Sequence, residues 1–74
     1  MPKVLSGKDV IRILCKEFGF NLVSQKGSHV KLRKTYRGRK IITIVPLHRE
    51  LAQGTLRGIL ELAEIDFEDF LKDL

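Results

Sequence analysis

The chain has 74 residues, 43% of them hydrophobic and 31% charged, which excludes a disordered polymer and leaves room for one small core. No apolar run approaches the ~18 residues of a membrane span, and the single cysteine, Cys15, excludes an internal disulfide and fits a reducing compartment. The net charge of +5 is unevenly spread: residues 1–49 hold 12 Lys/Arg against 2 Asp/Glu, and residues 50–74 hold 2 against 7. A basic body with an acidic tail points to a polyanion on one side, nucleic acid above all, although a solvated surface segregated by sign gives the same count.

Met1-Pro2-Lys3 leads into an amphipathic segment without a signal-peptide pattern, so the expectation is one soluble, cytoplasmic domain over 1–74. Ser6 suits a helix N-cap, and Asp9 three residues later completes a capping-box-like pair. Val10, Ile11, Leu14, Cys15 and Phe18 repeat at helical spacing, and Gly19 ends the helix. Cys15 lies within that stripe, which suits a packed core thiol better than a nucleophile. Phe20 to Ser24 reads as a first strand with Phe20 and Leu22 facing the core, followed by a tight turn at Lys26-Gly27.

The second strand, Ser28 to Lys34, alternates: Val30 and Leu32 point one way, and His29, Lys31 and Arg33 the other. Thr35 to Arg39 is a polar turn bent at Gly38. Lys40 to Val45 forms a third strand, closed by Pro46, which has no N–H to donate. If Ile42 and Ile44 face the helices, Ile41 and Val45 remain on the open side, as a docking patch or under a loop of the same chain.

After a connector over 47–54, Thr55 caps a second helix lined by Leu56, Ile59, Leu60 and Ala63. Gly58 inside it costs about 1 kcal/mol against Ala, which a close neighbour would explain. Asp66, with Asp69 three residues on, caps a last short helix offering Phe67, Phe70 and Leu71 for burial. The order predicts an α+β fold, α-β-β-β-α, with a three-stranded antiparallel sheet and the helices on one face.

His29 heads the candidate chemistry, at the start of a solvent-facing basic stripe. Imidazole gives or takes a proton near neutrality. In RNA the 2′-hydroxyl adjoins the scissile phosphate, so one base suffices to start cleavage without metal or protein nucleophile. Lys26, Lys31 or Arg33 is placed to hold the phosphate and Ser28 to orient the imidazole or a phosphate oxygen, while Lys34, Arg37, Arg39 and Lys40 extend the basic surface. The competing reading makes His29 a passive contact on an RNA-binding strand; a third makes the chain a protein-interaction domain with incidental basicity. His48 suits a structural role at the strand–helix junction, and its approach to His29 is not fixed by the sequence. Tyr36, beside Arg37 and Arg39, is a base-stacking candidate or simply an exposed turn residue. Cys15, His29 and His48 lack the close ligand spacing of a zinc site, and no phosphate loop or nucleophilic triad is present.

Lys26-Gly27-Ser28-His29, the Val45-Pro46-Leu47-His48 junction and Gly54-Thr55-Leu56-Arg57-Gly58-Ile59-Leu60 together resemble the HicA family. The opening Ser6-Gly7-Lys8-Asp9-Val10 and the closing Ile65-Asp66-Phe67-Glu68-Asp69-Phe70 are similar to its two ends, so the resemblance spans the chain in one order. It implies a fold like a double-stranded-RNA-binding domain and an mRNA interferase toxin of a toxin–antitoxin module. It further implies His29 as the catalytic histidine, no cofactor, and neutralisation by a HicB-type antitoxin, which is expected to cover the open sheet face.

Overall fold

A computed structural model describes residues 4–74; the reading of Met1-Pro2-Lys3 lies outside them. The elements are α1 (Gly7–Glu17), β1 (Asn21–Lys26), β2 (His29–Tyr36), β3 (Arg39–Pro46), α2 (Gln53–Leu62) and α3 (Phe67–Leu71). The sheet is antiparallel in the order β1-β2-β3, and both longer helices pack against β3. The α+β expectation holds. Among the described residues, no helix is long and apolar enough to cross a membrane.

The start of α1 follows its sequence closely. The Ser6 hydroxyl accepts from the Asp9 N–H at 3.1 Å, and the Asp9 carboxylate accepts from the Ser6 N–H at 3.0 Å. These bonds hold the Asp9 carboxyl below its usual range. Gly19, at φ 76°, lets the chain leave α1, with the N–H groups of Phe18 and Phe20 both on the Leu14 carbonyl. Val10, Ile13 and Leu14 are buried, together with Phe20, Val30, Leu32, Ile41, Val45, Leu56, Ile59, Leu60, Ala63 and Phe70.

Several details differ from the sequence reading, the turns included: they are Gly27-Ser28 rather than Lys26-Gly27, and Arg37-Gly38 rather than the whole of 35–39. Ile41, Thr43 and Val45 face the helices, so Ile42 and Ile44 are the open-face pair, 38% and 37% exposed. Thr43 is fully buried, and its hydroxyl donates to the Ile59 carbonyl at 2.8 Å. Leu22 stands opposite fully buried Leu32 yet is 57% exposed, because it lies on the edge strand beyond the helices; a bulge follows between Leu22 and Ser24. The second helix starts at Gln53, with Ala52 as an N-cap that makes no side-chain bond, so Thr55 is not its cap. Finally, nothing comes within 4 Å of a side chain added at Gly58.

Candidate functional site

The β1–β2 turn is two residues long, Gly27-Ser28, with Gly27 at φ 59°. Gly at the first central position is what a type II′ hairpin turn requires, and its twist matches that of the strands. Gln25 Nε2 donates to the Gly27 carbonyl at 3.1 Å and braces the turn. His29 therefore emerges at a fixed point, exposed on the sheet face turned away from the helices.

The register places Lys26 of β1 and Pro46 of β3 on either side of His29. Directly opposed residues of an antiparallel ladder lie about 4.5–5.5 Å apart at Cα, so Lys26 borders the imidazole. Lys31 and Arg33 follow on the same face at alternate positions, Lys31 between Ser24 and Ile44, and Arg33 between Asn21 and Ile42. Among the described residues the ion pairs are Arg12–Asp9, Arg39–Glu64 and Lys72–Asp69, so none of these three cations is neutralised by a carboxylate. The arrangement is an exposed imidazole set in an open field of positive charge. It can hold a phosphate and move a proton beside it.

Main-chain bonds anchor this end of the sheet. The Leu47 N–H donates to the Ser28 carbonyl at 2.6 Å, carrying the ladder one bond past Pro46. Gly7, the first residue of α1, donates to the His48 carbonyl at 2.9 Å. His48 is exposed and lies at the same end of the sheet as His29, with its main chain serving the junction. A methyl group on Gly7 would fall 2.0 Å from the Pro46 carbonyl oxygen, so only glycine allows α1 to seat here. The sequence reading missed Gly7 as a positioning residue; its one signal was a poor helix former directly after a strong N-cap.

Lys26, Ser28, Lys31 and Arg33 thus gather around His29. Arg37 and Arg39 do not. The seven residue steps from His29 to Tyr36 span about 23 Å of strand, which puts both arginines at the far hairpin. Arg39 points to the helix side, where its guanidinium takes both oxygens of Glu64, at 3.1 and 2.5 Å. The pair lowers the Glu64 carboxyl and raises the Arg39 guanidinium from their ordinary values. Glu64 itself sits at φ 58° just past α2, where the Ile65 N–H bonds Leu60 and the Glu64 N–H bonds Glu61 in a Schellman motif. Cys15 packs against the core, and burial pushes its thiol up, away from reactivity.

A comparison with curated proteins gives no match. The family model described as HicA toxin of bacterial toxin-antitoxin matches residues 7–65, which run from the first residue of α1 through the whole sheet to the turn after α2. The chain belongs to the HicA toxin family of bacterial toxin–antitoxin systems.

Proposed function

We propose that this toxin is an endoribonuclease that cleaves mRNA in the cytoplasm without a metal, using His29 as the acid–base group. The carrying observation is the exposed imidazole directly after the Gly27-Ser28 turn, with Lys26 opposite and Lys31 two residues along on the same face. His29 takes the proton of the 2′-hydroxyl as that oxygen attacks the adjacent phosphorus. The P–O5′ bond breaks, the departing 5′-oxygen takes a proton from water to become the 5′-hydroxyl, and the imidazolium returns its proton to solvent. Lys26, Lys31 and Arg33 stabilise the charge that grows on the phosphoryl oxygens, and Ser28 orients the group. The open face also carries Ile42 and Ile44 beside those cations, an apolar strip within a basic surface. A HicB-type antitoxin that covers this face buries the strip and masks His29 together.

The products test the chemistry. Purified protein in excess EDTA should cleave RNA and leave 2′,3′-cyclic phosphate and 5′-hydroxyl ends. Dependence on Mg²⁺, or 5′-phosphate ends, would count against a lone histidine. A non-catalytic RNA-binding module would bind the RNA and leave it intact.

A further inference from the structure

The β2–β3 hairpin tip concentrates charge that the site around His29 does not use. Lys34, Arg37, Arg39 and Lys40 lie within seven residues, and among the described residues Glu64 is the one carboxylate bonded there, by Arg39. Tyr36 stands among them with half its surface exposed. The Lys34 ammonium lies 5.6 Å from its ring centroid, and the Arg37 guanidinium 5.3 Å. Lys34 also sits 5.4 Å from the Phe20 ring, so its position is fixed from two sides. The turn is Arg37-Gly38, with φ 51° and 76°, a type I′ geometry. Asn or Gly normally fills its first central position, so Arg37 holds a left-handed conformation at a cost that those residues would avoid.

We propose that this tip is a second RNA contact, in which a base stacks on Tyr36 while Arg37, Lys34 and Lys40 hold the flanking phosphates. The proposal rests on the reading of the chain as an RNA-cleaving toxin and extends it to a site about 23 Å from His29. Tyr36 and Lys34 lie on the helix side of the hairpin, opposite Arg39 and Ile41, so a strand of RNA follows Lys31, Arg33 and Lys40 on the open face and turns over the tip at Arg37 to reach them. At that distance the nucleotide on Tyr36 is not the one being cut. Stacking accepts any base, so the tip contributes affinity and direction rather than a sequence code.

The test is binding of a labelled single-stranded RNA dodecamer to intact His29→Ala protein, titrated at several salt concentrations. Adding Tyr36→Ala or Tyr36→Leu should weaken binding between about fivefold and about 150-fold, the range of one base–aromatic stack, and Tyr36→Phe should restore it. Arg37→Ala should reduce the slope of log K against log salt by about 0.7, one phosphate contact on a single strand. Arg39→Ala should leave that slope unchanged, since Glu64 already holds its guanidinium. Binding unaltered by both Tyr36 variants and by Arg37→Ala would overturn the proposal and leave the RNA reading standing. A His29→Ala protein that binds no RNA with the tip intact would overturn both. Tyr36→Leu keeps the apolar bulk, so it reads stacking even if Tyr36→Ala unfolds.

Discussion

Gly7 and Gly58 both lie in helices, yet substitution should move stability in opposite directions. At Gly7 a methyl group collides with the Pro46 carbonyl, so Gly7→Ala should lose about 1–3 kcal/mol, as overpacking does. Gly58 faces open space, so Gly58→Ala should gain up to about 1 kcal/mol from helix propensity. Urea unfolding with an unchanged m-value measures both, and equal signs would refute the assignment of Gly7 to a close approach. At this scale the sequence was legible where chemistry is local. The alternation around Val30 and Leu32 put His29, Lys31 and Arg33 on one face, and the structure agrees. It was not legible where a residue's role depends on a partner far along the chain. Glu64 takes Arg39 across 25 positions, and Gly7 meets Pro46 from the far end of the last strand.

Helix capping gives a second paired contrast. Ser6→Ala removes a reciprocal cap and should destabilise the protein by about 1 kcal/mol. Thr55→Ala, inside a helix already begun at Gln53, should change little. Thermal unfolding of the two variants separates them, and an equal loss from Thr55→Ala would mean that α2 is capped at Thr55 after all. The strand elements show why one face was read backwards. A five-residue turn over 35–39 would pair Lys34 with Lys40 and turn Ile42 inward. The two-residue turn Arg37-Gly38 pairs Tyr36 with Arg39 and Leu32 with Thr43. One residue of register exchanges the faces. Ile41 to Val45, apolar on both faces apart from Thr43, offered no alternation to decide between the two registers. The buried bond from Thr43 to Ile59 fits only the observed one.

Over the whole molecule, the two sheet faces have separate tasks. The helices bury one, and the other presents His29, Lys31, Arg33, Ile42 and Ile44 to solvent. RNA and antitoxin compete for that open face in this account, the RNA through charge and the antitoxin through the apolar strip as well. The double variant Ile42→Ala with Ile44→Ala should therefore weaken antitoxin binding by tenfold or more in calorimetric titration while RNA cleavage stays within a few fold. Unchanged antitoxin affinity would place the antitoxin elsewhere. The central claim, that His29 performs the proton transfer, is tested most directly by single-turnover cleavage of one labelled RNA by the wild-type protein and by His29→Ala at matched concentration. The account predicts a rate lower by about 10²–10⁴-fold in the variant, with RNA binding retained. Cleavage by His29→Ala within a few fold of wild type would contradict it.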